Sequence, residues 1–178
     1  MKKIILFICL LYLPLAVAQN QYKIDTLDYI PAKYQPIYGF GNIDEYLQQE
    51  KIKEIIYQRT TCFGDCPSYE VTFYKSGKAE YIGYYFVKMK GKFKGNIDKY
   101  IFARLTYLLE KDSILNLNDD YSSRISDASA AILTIEFENK KLKSIRNYNN
   151  YGPIELWGID KVIEAVTKEI NWSKKSQK

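Results

Sequence analysis

Apolar and polar residues alternate one by one along several short stretches of this chain, and apolar residues recur with a period of about 3.6 along two longer ones. Residues 52–59 carry a buried stretch in Ile55, Ile56 and Tyr57 and predict a strand. From Ser68 to Tyr74 the alternation is clean. Tyr69, Val71 and Phe73 fall on one side, and Ser68, Glu70, Thr72 and Tyr74 on the other, as in a half-buried strand. Lys75-Ser76-Gly77-Lys78 turns the chain, and residues 79–87 return as the hairpin partner. Gly91 and Gly95 punctuate a further strand over 88–97. Residues 98–111 predict a helix, with Ile101, Leu105, Leu108 and Asp112 on one face, Phe102 and Leu109 widening it, and Asn96 or Asp98 as cap. After a polar stretch over 116–129, Ala131, Leu133, Ile135 and Phe137 alternate with Ile132, Thr134, Glu136 and Glu138; Asn139-Lys140 turns, and 141–148 pairs back. A last helix over 153–171 follows from the stripe Ile159, Val162, Ile163, Val166, Ile170. The expected fold is α+β: an antiparallel sheet of about five to six strands with two helices packed mainly on one face.

The first fifty residues follow a different pattern. Lys2 and Lys3 precede an apolar run from Ile4 to Leu15, broken only by Tyr12 and Pro14, and Ala16-Val17-Ala18 supplies a small-x-small cleavage site. Residues 1–18 therefore read as a secretory signal, with Gln19 first after cleavage. The run is shorter than the ~20 apolar residues of a membrane-spanning helix, so no transmembrane segment is expected in the processed chain. Cys9 follows the bulky Leu6-Phe7-Ile8, which does not suit lipidation. Residues 19–50, with Pro31, Pro36, Gly39 and Gly41, predict a loosely packed lead-in or linker in which Asn42 opens a short helix. Residues 51–171 form the single domain, and 172–178 a frayed tail. The expected location is periplasmic or secreted.

Composition narrows the chemistry. The formal net charge of +5 falls to +3 once Lys2 and Lys3 are removed, too mild to demand an anionic partner, and nucleic acid is not expected. An apolar content of 47% is enough to build a core without metal. There is no histidine, which excludes Ser-His-Asp and Cys-His mechanisms and removes the commonest zinc ligand. No catalytic residue, cofactor or metal is therefore expected. Seventeen tyrosines suit half-buried strand positions. Loss of Cys9 with the signal leaves Cys62 and Cys66, and an even count in an exported chain favours a disulfide. A tight turn through Gly64 can bring the two within range, closing a short loop with a stabilisation of about 2 kcal/mol. A redox pair, which usually spaces its thiols by two residues and not three, and a metal site, which needs further ligands, are the alternatives.

The stretch Arg59-Thr60-Thr61-Cys62-Phe63-Gly64-Asp65-Cys66-Pro67-Ser68-Tyr69, with Gly77, Tyr81, Gly83, Gly91-Lys92-Phe93 and Asp127-Ala128, resembles the domain of unknown function 6438 family over roughly residues 51–171. The resemblance implies a small exported domain and brings no activity with it. Three further surfaces carry chemistry. Lys88, Lys90, Lys92 and Lys94 alternate with Met89, Gly91, Phe93 and Gly95, so a strand here projects four ammonium groups from one face. They suit either contact with an anionic surface or protection of an edge strand from aggregation. Asn147 to Pro153, with Tyr148, Tyr151 and the following Trp157, combines aromatic faces with amide donors and could stack on a sugar or peptide, or simply lead into the helix. Asp119, Asp120 and Asp127 flank a polar loop without calcium-loop spacing. The expected function is a non-enzymatic envelope or secreted binding module for protein or glycan, acting as a monomer. An inhibitor or immunity-type protein blocking an enzyme of the same compartment is the first alternative, and a hydrolase using Asp127 with a tyrosine or lysine the second.

Overall fold

The computed structural model describes Gln48 and residues 51–111 and 113–175. The expected signal and almost all of the lead-in lie outside the described residues, as does Asp112. The elements run β1 (Ile52–Arg59), β2 (Ser68–Tyr74), β3 (Lys78–Tyr85), β4 (Gly91–Asn96), α1 (Lys99–Lys111), a 3₁₀ turn (Ile114–Asn116), β5 (Asp120–Tyr121), β6 (Ala130–Phe137), β7 (Leu142–Tyr148), α2 (Ile154–Glu169) and β8 (Ser173–Lys174).

The strands among the described residues join one sheet in the order β5-β7-β6-β1-β2-β3-β4-β8. Eight strands stand where the pattern predicts five to six, because β5 and β8 are two residues long and too short to show alternation. One pairing also departs from the antiparallel expectation: β5 lies parallel to β7, Asp120 opposite Arg146 and Tyr121 opposite Asn147. The chain past Asn171 does not fray at once. Ser173 and Lys174 pair with Lys94 and Phe93, and Trp172 packs on the core. The strand expected over 88–97 begins only at Gly91, so Lys88 and Lys90 belong to the β3–β4 connection.

Paired residues of an antiparallel ladder share a face, so the register reads out the two surfaces. One row runs Ile145, Leu133, Tyr57, Val71, Tyr81, Phe93, and the next Ile135, Ile55, Phe73, Ala79, Gly95. The large residues of this face are buried with Phe102, Leu105, Leu108 and Leu109 of α1 and Leu156, Ile159 and Ile163 of α2 in one core. The opposite face carries Arg146, Ile132, Gln58, Glu70, Ile82 and Lys92 in one row and Ser144, Thr134, Ile56, Thr72, Glu80 and Lys94 in the next. It mixes charge with isolated aliphatic groups, as a face without helices should. Asp98 caps α1, its carboxylate accepting from the Tyr100 backbone N–H at 2.7 Å.

Candidate binding surface at the disulfide end of the sheet

Four connections meet at one end of the sheet: β1–β2 (60–67), β3–β4 (86–90), β5–β6 (122–129) and β7–α2 (149–153). The register requires it, since Arg59 opposes both Tyr69 and Ala131, Ser68 opposes Tyr85, and Ala130 opposes Tyr148. Cys62 and Cys66 are joined by a disulfide with their Cα atoms 5.6 Å apart. Gly64, between them, has a φ of +142°, a conformation that side chains resist. The stapled loop is anchored to its neighbour: Phe63 N–H donates to the Asp127 carbonyl at 3.0 Å, and Thr60 exchanges bonds with Ala130. Asp127 adopts a left-handed φ of 66° to present that carbonyl. Asn149 and Asn150 are both left-handed, with Tyr151 N–H bonding back to the Tyr148 carbonyl, the turn asparagine tolerates best.

These braced loops carry the molecule's exposed apolar groups. Of the nine large hydrophobic side chains exposed among the described residues, all but Tyr100 and Leu142 lie in or beside the four connections. Phe63, at the tip of the stapled loop, is 90% exposed; Tyr85, Phe86, Ile125, Tyr151 and Ile154 are each more than half exposed. From β7 to β3 the end spans four strand spacings, about 19 Å.

Beneath it, polar groups enter the core. The row after Tyr57 reads Asn147, Ala131, Arg59, Tyr69, Gly83, and α2 sets Asp160 and Glu164 above it. Asp160 is 2% exposed, and its carboxylate faces the buried Asn147 amide without a hydrogen bond of ordinary geometry between them, though that amide draws the carboxyl down; the Asn147 oxygen accepts from Gly152 N–H at 2.9 Å. Burial pushes the Asp160 carboxyl up to about 7, against the pull of the Arg59 guanidinium. Burial also raises the Tyr57 phenol, helped by the negative charge of Asp160 and Glu164, and raises that of Tyr69. Tyr57 donates to Glu164 at 3.4 Å, Arg59 to the Ser129 hydroxyl at 3.4 Å, and Glu164 pairs with Lys161 at 2.8 Å. This cluster buries one acid among aromatic rings, with the Arg59 guanidinium as its nearest opposing charge. Periodicity could have pointed to it: Leu156, Asp160, Ile163 and Thr167 are spaced as an inward stripe, with a carboxylate where an apolar residue belongs.

The residues singled out by sequence are dispersed. Tyr151 is exposed at the disulfide end, but Tyr148 is half-buried, its hydroxyl accepting from Ala128 N–H at 2.9 Å and its ring covered by Arg146 at 4.8 Å. Trp157 is half-buried inside the first turns of α2. Asp127 is exposed and touches the stapled loop through its backbone. Asp119 pairs with Lys143 at 2.6 Å and Asp120 with Arg146 at 3.4 Å, so both carboxylates fasten β5 to β7. Lys92 and Lys94 project from β4 while Lys88 and Lys90 precede it. Among the described residues no group of three or more Cys, Asp or Glu is placed to hold a metal ion, and no helix is long and apolar enough to cross a membrane.

A family model described as a domain of unknown function (DUF6438) matches residues 53–167, most of the described chain. No curated protein matches the sequence.

Proposed function

Because the chain belongs to the DUF6438 family, whose description carries no activity, its role must come from its own surfaces, and we propose that it is an exported, non-enzymatic module that binds a protein through the disulfide end of its sheet. The concentration of exposed aromatic and aliphatic side chains on one braced end is the observation that carries this reading. Protein interfaces are enriched in aromatic anchors at their centres, and rigid loops lose little entropy when they bind. A staple between Cys62 and Cys66, an anchored backbone and left-handed turns hold Phe63, Ile125 and Tyr151 in place before any partner arrives. The disulfide fits an oxidising compartment outside the cytosol.

The test is capture from an envelope extract, comparing wild type with Phe63→Asp/Tyr151→Asp, both sites being exposed and free of core contacts. One protein species retained by the wild type and lost by the variant, at unchanged melting temperature, supports the reading. Equal retention by both, or retention only on neutral glycan resin, overturns it. Mass spectrometry of native material should find Gln19 at the N-terminus and Cys62 bonded to Cys66; a chain retaining Met1 would remove the export.

A second reading has its own observation. A phenylalanine almost wholly exposed at the tip of a disulfide-closed loop suits insertion into an enzyme cleft, so the partner would be an enzyme and the module its inhibitor. Loss of the captured partner's activity on adding the domain, and its recovery with Phe63→Asp, marks that case.

A further inference from the structure

Lys92 and Lys94 lie beyond the surface just described, which Lys90 and Tyr84 border, and their setting removes the plainest explanation for the run. Lysines on an outer strand keep sheets from pairing with one another. Here β4 is not the outer strand: β8 covers it, with Lys175 N–H donating to the Lys92 carbonyl at 2.9 Å. The edge is already protected by the brevity of β8, so Lys92 need not guard it.

These lysines line a groove. Ile82, Gly83, Tyr84, Lys90, Gly91, Lys92, Lys174 and Lys175 bound a cleft of about 850 Å³, with four ammonium groups and no carboxylate. Its shape comes from two glycines paired across the β3–β4 ladder. Gly83 has no room for a Cβ because the Met89 carbonyl lies against it, and a Cβ on Gly91 would meet nothing within 4 Å, so the cleft stays open there. Tyr84 is 40% exposed beside it. Lys90, Lys92, Lys174 and Lys175 have no ion-pair partner among the described residues, whereas the sheet's other edge pairs its cations with Asp119 and Asp120. Adjacent like charges without counter-charges repel, and their repulsion is relieved when an anion enters.

We propose that this groove at the β4–β8 edge binds a polyanionic glycan, a chain of sugars bearing carboxylate or sulfate groups. A cleft with an aromatic ring at its side fits a sugar chain, whereas a bilayer presents a flat plane of charge and would favour a convex or planar cluster. The ammonium groups meet the acidic substituents, and the Tyr84 ring offers its face to a pyranose.

The test measures binding of the full chain to immobilised polygalacturonate, heparin, neutral dextran and phosphatidylglycerol vesicles over a salt series. Wild type binds one or both polyanions and not dextran, and its affinity falls as salt rises. Lys92→Ala/Lys175→Ala loses roughly tenfold in affinity, Lys92→Arg/Lys175→Arg retains it, and the charge-matched control Lys51→Ala/Lys141→Ala stays within about twofold. All substituted side chains are solvated, and an unchanged melting curve verifies the fold. Polygalacturonate against heparin separates carboxylate from sulfate as the ligand group. Equal weakening of the groove and control variants, no binding to either polyanion, or binding to vesicles alone each overturns the proposal.

Discussion

Asp160 is the residue whose chemistry departs furthest from its surroundings. An aspartate normally titrates near 3.8, and this one is held up to about 7 by burial. Between those values the folded chain keeps a proton that the unfolded chain releases, so the stability tied to Asp160 is full below about pH 4 and is lost as pH rises toward 7. The effect is on the order of 4 kcal/mol. Asp160→Asn should flatten the fall in melting temperature between pH 5 and 8 and melt higher than wild type at pH 8; equal slopes would show that the carboxyl titrates normally. Cys62→Ser/Cys66→Ser should cost about 2 kcal/mol in urea denaturation, because so short a loop restrains the unfolded chain only modestly. The two thiols were legible from their number and from Gly64 between them. The acid was legible only from the spacing of Leu156, Asp160, Ile163 and Thr167, a signal that the stronger apolar pattern of Ile159, Val162 and Ile163 overshadows.

At the scale of elements, strands of six residues or more were legible because alternation over that length sorts core from solvent, as Val71 and Phe73 do against Glu70. The two-residue edges offered no such pattern. What places β5 is a pair of contacts, Asp119 to Lys143 and Asp120 to Arg146, between segments more than twenty residues apart. What places β8 is a glycine: Gly95 has no space for a side chain because Ile170 lies against it, with Trp172 at 3.1 Å from where a Cβ would stand. Trp172 in turn donates from its indole to the Thr167 carbonyl at 2.8 Å and packs against Tyr81 with ring centroids 5.6 Å apart. Gly95→Val should therefore lift the strap that follows α2, cost about 1–3 kcal/mol and shift the tryptophan emission to the red. An emission spectrum unchanged from wild type would mean that Trp172 holds its place without that glycine. The disulfide-end surface was only partly legible: Tyr151 stood out as aromatic among asparagines, but the joining of Phe63, Phe86, Ile125 and Ile154 depends on strand order, which pairs β1 with a segment more than seventy residues further on.

For the molecule as a whole, β1, β2 and β6 are flanked on both sides and lie over the helical core, whereas β5 and β8 are two residues long and outermost. Opening free energy should follow that order, so amides of Ile55, Tyr57, Leu133 and Ile135 should exchange with deuterium last and those of Tyr121 and Lys174 first. Uniform exchange across the sheet would contradict the layered burial described above. The placement of β1 has a further result for how the molecule comes into being. The domain's earliest strand needs a neighbour that leaves the ribosome only after residue 130, and the helix that roofs both is later still. A nascent chain stopped at residue 129 would leave Ile55 and Tyr57 without the share of their cover that α2 gives, and one flank of β1 ready to join any other strand. Such a fragment should precipitate or bind chaperones where the whole chain stays dispersed, and the export proposed above would be served by postponing the final shape in this way.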